Sequence, residues 1–153
     1  MVQRKLGQLD IKKHQPRMQD IAKQRIAEPV PLLGITRAQK ARSFTFDPTY
    51  TLMEDARLPD GRVLYKAGTK VNPFDYMELD KKLVLIDGRD KEQVRWFKDE
   101  QAKGKIKLED KLILVAGRPF DLEKELERAV YFDQSAVITD KLMIRQVPAI
   151  VQQ

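Results

Sequence analysis

The sequence predicts an α/β fold built on a mainly parallel sheet, and three stretches carry that expectation. Leu83-Val84-Leu85-Ile86-Asp87 and Leu112-Ile113-Leu114-Val115 are unbroken apolar runs of strand length, the pattern of strands covered on both faces. Val130-Tyr131-Phe132 is shorter, β-branched and aromatic, and reads as a third strand. Between them lie helical periods. Strands and helices alternating at this spacing imply a βαβαβ unit. Right-handed crossovers then lay its two longer helices over the sheet.

Taken in order, Gln15 to Ala27 carries one helical stripe of Met18, Ile21, Ala22, Arg25 and Ile26, with Pro16 suited to a first turn. The stripe is narrow, so such a helix needs a partner to be stable. Pro29 and Pro31 end it and favour an extended linker. Residues 1–42 hold ten Lys/Arg against three Asp/Glu, a balance of +7; residues 43–153 hold nineteen against twenty, a balance of −1. The net charge of +6 therefore belongs to this arm. No Phe, Trp or Tyr precedes Phe44, so the arm lacks the stacking platforms of a single-strand binder, and no nucleic-acid partner is expected. The arm reads as a tether and spacer, with residues 1–28 outside the globular core.

Residues 43–80 read as a small β unit. Tyr50 to Leu58 forms one strand and Arg62 to Lys66 the next, joined by the turn residues Pro59-Asp60-Gly61. Residues 81–153 hold the α/β domain. After the first apolar strand, Gly88 and Arg89 turn the chain. Asp90-Lys91-Glu92-Gln93 then has the form of a capping box, opening a helix through Val94, Trp96 and Phe97 to Gly104. After the second strand, Gly117-Arg118-Pro119 turns again and Asp121 is expected to cap a helix bearing Leu122, Leu126 and Ala129.

Past Phe132, Asp133-Gln134-Ser135 break the strand, and Thr139 is expected to cap a short helix with Leu142 and Met143. Pro148 forbids its continuation, and Ala149-Ile150-Val151 form a further strand. Strand, short helix, proline, strand resembles the closing half of a thioredoxin-like fold. In that fold the proline opening the last part is usually cis, which is the expectation for Val147-Pro148.

Composition removes several chemistries. The chain has 153 residues, 42% hydrophobic and 34% charged, which suits a core-forming globular protein with a well-charged surface. No run approaches the ~20 apolar residues of a membrane span. There is no cysteine, which excludes disulfides, thiolate metal sites and dithiol redox chemistry. The lone His14 excludes a His-rich metal cluster and leaves Ser43 and Ser135 without a base. No phosphate-binding glycine loop is present. Asp87 and Asp133 both end apolar strands, on the edge where α/β sites often form, and are a pair to check as cation ligands. No cofactor or metal is expected, and no enzymatic activity.

The ordered segments Thr36-Arg37…Phe46-Asp47-Pro48, Asp60-Gly61-Arg62-Val63…Gly68…Asn72-Pro73, Leu85-Ile86-Asp87-Gly88…Val94…Trp96, Lys111-Leu112-Ile113-Leu114-Val115-Ala116-Gly117, Val130-Tyr131-Phe132-Asp133-Gln134 and Val147-Pro148-Ala149 resemble the TraW family of F-type conjugative transfer proteins. The resemblance covers roughly residues 33–153. It implies a periplasmic, non-enzymatic assembly factor for the conjugative pilus and its type IV secretion channel, acting by protein–protein binding. It also implies a TrbC-like thioredoxin-fold partner and other channel or pilus assembly proteins, and a mature form without the family's secretory signal. An alternative is a periplasmic chaperone using a redox-inactive thioredoxin-like peptide groove. Apolar residues near the last strands, Tyr131, Phe132, Val147, Pro148 and Ile150, are the expected partner-binding residues, with Trp96 as a further anchor. The strand Ala149–Val151 is expected to present an open edge to that partner.

Overall fold

The computed structural model describes residues 20–153. The expected helix start, with Pro16 and Met18, lies outside them. Residues 20–27 are helical (α1), and Ile21 and Ile26 on this helix are exposed.

The sheet has four strands. β6 (Leu83–Asp87), β7 (Lys111–Ala116) and β8 (Val130–Phe132) are parallel and adjacent, in that order. β10 (Ala149–Val151) runs antiparallel along the other side of β6, with Ala149 opposite Leu85 and Val151 opposite Leu83. α2 (Lys91–Ala102) links β6 to β7, and α3 (Pro119–Leu126) links β7 to β8. The α/β architecture expected from the two apolar runs is present.

β6 and β7 are apolar on both faces, so alternate residues enter two cores. Val84, Ile86, Leu112 and Leu114 meet Val94, Phe97 and Leu122 of the two helices, with Trp96, Leu126 and Phe132 at the margin. Leu85, Ile113 and Val115 face the other way, against Ile144 and Val147, with Ile138 and Leu142 around them. Burying one such side chain contributes about 1.5–3 kcal/mol.

The second face has two covers. One is α4 (Val137–Lys141), placed by Asp133. The Asp133 carboxylate is buried and accepts bonds from the Ile138 and Thr139 amides, both at 2.9 Å, and from the Thr139 hydroxyl at 2.8 Å. Thr139 is thus inside the helix rather than its cap, and Asp133 does the capping from outside the first turn. The other cover is the chain after the prolines, which sequence read as linker. Leu32 and Ile35 lie on this core, and β1 (Thr36–Arg37) pairs in parallel with β9 (Gln146–Val147). The bond between Val147 and Pro148 is cis, as expected.

Two other local expectations change. α3 begins at Pro119, two residues before Asp121, which instead pairs with Arg118 at 3.0 Å. The strand expected over Tyr50 to Leu58 is split into β2 (Tyr50–Thr51) and β3 (Ala56–Arg57). β2 pairs with β5 (Lys70–Val71), and β3 with β4 (Val63–Tyr65). Between them the ladder is bridged by the Leu52 amide, which donates to the Thr69 carbonyl, and by the Ala67 amide, which donates to the Asp55 carboxylate. The Pro59-Asp60-Gly61 turn forms where expected, with Gly61 at φ +87°.

Arg128, just before β8, is 7% exposed and ties the loop ahead of β7 to the core. Its guanidinium donates to Gln101 Oε1 and to the carbonyls of Lys107, Leu108 and Asp110, over the Phe97 ring at 5.2 Å. Arg128→Ala removes these donors and leaves the buried Asp110 carbonyl and three part-buried acceptors unpaired. We expect a loss of about 2–4 kcal/mol, read as a lower thermal midpoint with native-like circular dichroism at low temperature.

Candidate functional site

The carboxyl ends of β6 and β7, where α2 and α3 begin, gather several charged and polar side chains. Asp87 ends β6. Its carboxylate receives Arg89 three times: the amide at 2.9 Å, Nε at 3.0 Å and Nη2 at 2.8 Å. Arg89, first through its side-chain hydrogen bonds, holds the Asp87 carboxyl below the usual range against the opposing cost of burial. Asp90 caps α2 by accepting the amides of Glu92 and Gln93. Burial pushes its carboxyl up, but the bonds from Gln93 and the nearby Arg37 outweigh this and hold it low. Gln93 does not complete the expected capping box. Its Nε2 donates to Asp90, while its Oε1 accepts from the Asp87 amide, 3.0 Å away, and so links the helix to the end of the strand.

Glycine is required where the two loops meet. A Cβ on Gly88 would stand 2.7 Å from a Leu122 methyl and 3.0 Å from the Ala116 carbonyl oxygen. Gly117 has φ +106° and a Cβ there would sit 3.0 Å from the Gly88 backbone.

The strap over residues 32–38 closes this end. The Leu32 amide donates to the Val115 carbonyl at 2.9 Å, the Thr36 amide to Arg145 at 3.0 Å and the Ala38 amide to Val147 at 2.8 Å. Arg37 reaches from the strap to Asp90 and Glu92 at the start of α2. The cleft left between strap and sheet is about 80 Å3 and is lined by Arg37, Asp87, Asp90 and Gln93 over Val115 and Val147. That holds a few waters, not a substrate. A wider groove of about 610 Å3 runs between α2 and α3, with Val94, Leu122, Gly88 and Gly117 on its floor and Lys91, Arg95 and Arg118 on its rim.

Asp87 and Asp133 do not make a cation pair: Asp133 is consumed by α4 and Asp87 by Arg89. Among the described residues no cluster of three or more His, Asp or Glu is placed to hold a metal.

The expected partner-binding residues do not share one surface. Tyr131 and Phe132 are on β8, at one edge of the sheet, and Ile150 is on β10, at the other. Three strand spacings separate these edges, about 14 Å. Tyr131 is 44% exposed and stands against Lys111, while Phe132 and Trp96 pack at the margin of the helix-covered core. Val147 is buried in the opposite core, and Pro148 is half-buried beside it. Ile150 is 40% exposed, and among the described residues nothing pairs with the outer edge of β10. What sequence reading missed is the strap. Its signal was Leu32 and Ile35 on either side of Gly34, which turns the chain at φ +77°.

Over 97% of its length the chain is 36% identical to Protein TraW of Escherichia coli (strain K12), and the match spans 71% of that protein. No family model matches the chain, and no solved structure matches it.

Two outcomes follow from the site. Ile35→Asp buries an unpaired carboxylate against the second core and should release the strap, read as faster amide exchange at Thr36, Ala38 and Val147. For Asp87, the depressed carboxyl contributes stability above its unfolded value of about 4, lost as pH falls through the lower folded value. Arg89→Ala should therefore be less stable than the parent at pH 7, and the two denaturation midpoints should draw together as pH falls and the carboxyl protonates.

Proposed function

This chain belongs to the TraW family, and from that premise we propose that it is a non-enzymatic assembly factor for a conjugative pilus and its type IV secretion channel, working in the periplasm by binding other proteins. The observation that carries the proposal is the 36% identity to Protein TraW, sustained over nearly the whole chain rather than over a local motif.

The geometry is consistent with a binding role. The carboxylates at the carboxyl edge of the sheet are spent on the chain's own amides and guanidinium groups, and the cleft between them is water-sized. The order β10-β6-β7-β8, with β10 antiparallel to β6, supports a thioredoxin-like reading of the domain, one without the dithiol. A TrbC-like protein is the proposed partner, and the free edge of β10 is the proposed contact. An open edge offers unpaired backbone groups, and Ile150 adds apolar surface beside them. A peptide groove along β9, as a chaperone would use, is the weaker reading, because β1 of the same chain is paired there.

The test is Ile150→Glu in the full chain, co-expressed with the other proteins of the transfer system and recovered from the cell envelope. Ile150 is exposed, so the isolated protein should keep its circular dichroism spectrum and lose its partner. An unchanged stoichiometric complex overturns the β10 contact. Normal pilus assembly without this protein overturns the assembly role.

A further inference from the structure

The groove between α2 and α3 has unequal banks. On the α3 bank the acids already have cations: Lys98 holds Glu125 at 2.7 Å, and Arg118 holds Asp121 at 3.0 Å. On the α2 bank Lys91 and Arg95 stand one turn apart and exposed, and among the described residues neither makes an ion pair. Val94 and Leu122 lie on the floor, and the aliphatic stems of Lys91 and Arg95 extend the apolar lining up the wall. An apolar floor edged by two spare cations is complementary to a segment that carries carboxylates beside an apolar side chain.

The chain presents such a segment where β6 begins. Residues 72–80 hold three acids, Asp75, Glu78 and Asp80, and no Lys or Arg. Among the described residues none of the three makes an ion pair, and all three are exposed. Between them Tyr76 and Met77 are 70% and 66% exposed. Contacts fix where this segment sits. The Leu79 amide donates to Gln153 Oε1 at 2.7 Å, and the Lys82 amide to the Asp110 carboxylate at 2.8 Å, both at the amino end of β6. Met77 is two residues from Leu79, a reach of about 7 Å. The five residues of β6 put the Gly88 end of the groove about 16 Å away. The segment therefore cannot lie along the groove of its own chain.

We infer that the groove between α2 and α3 is a docking site for residues 75–80 of a second copy of this chain. Two copies set with their β6 strands antiparallel bring each segment to the other's groove, and this reciprocal contact closes as a two-fold dimer. Met77 lies over Val94 and Leu122, and Asp75 and Glu78 take Lys91 and Arg95.

Sedimentation velocity on the full chain over a concentration series tests this. The expected result is a monomer–dimer equilibrium that weakens at high salt. Arg95→Glu and Glu78→Lys should each raise the dissociation constant at least tenfold with unchanged circular dichroism, since both side chains are exposed. The chain carrying both substitutions should dimerise again to within a few fold of the parent, because the exchanged charges still meet across the contact. A chain that stays monomeric at every concentration overturns the proposal. So does a dimer indifferent to both single substitutions. A dimer weakened by the single substitutions and not recovered by the pair also overturns it, since the groove and the segment then do not face each other.

Discussion

Two adjacent strands with no polar face set the terms for the rest of the molecule. Val84, Leu85 and Ile86 on β6 and Leu112, Ile113 and Leu114 on β7 alternate between two cores, and each core needs a cover. α2 and α3 supply one through Phe97 and Leu122. On the other side, among the described residues, the cover is made of short pieces: α4, the residues around Val147, and the strap carrying Leu32 and Ile35. Each short piece is held by a polar device, because a piece that small cannot bury enough apolar surface to place itself. Asp133 places α4, and Arg37 with three backbone hydrogen bonds places the strap.

What sequence reading could see follows from this division. Long apolar runs and the helices between them declare themselves, and the α/β class, the turn at Gly61 and the strand after Pro148 were legible. The failures fall on short elements whose position depends on distant contacts. Asp121 and Thr139 look like helix caps by residue type. Pro119 already starts α3, and Asp133 satisfies the α4 amides from outside the turn, so neither residue is needed there. Leu32 and Ile35 are two apolar residues in a proline-bounded stretch, too few to show a period, and only the core they cover identifies them as part of the fold.

The candidate site was half legible for the same reason. Asp87, Gly88, Asp90 and Gln93 were recognisable as a strand end and a helix start. Their neighbours Arg37 and Gly117 come from segments far away in the chain, and no local pattern ties them together. The partner-binding residues were chosen as apolar residues near one end of the sequence. In space they divide between the two edges and the two cores of the sheet, because β6 and β7 stand between β8 and β10. Nearness in sequence to Pro148 therefore did not imply a common surface.

The strap also bears on what kind of binding this domain favours. Parallel pairing of Thr36 and Arg37 with Gln146 and Val147 uses the backbone groups of β9 that an incoming peptide would need. An intramolecular strand has the advantage of effective concentration over any free competitor. A partner gains more from an edge that is not already paired, and among the described residues the outer edge of β10 has no paired strand. Ile150 lies there at the uncovered margin of the sheet, while Val147, two residues from the start of β10, is fully inside. The same few residues thus supply an internal anchor and an external edge, and the short connection through Pro148 is where the chain passes from one role to the other.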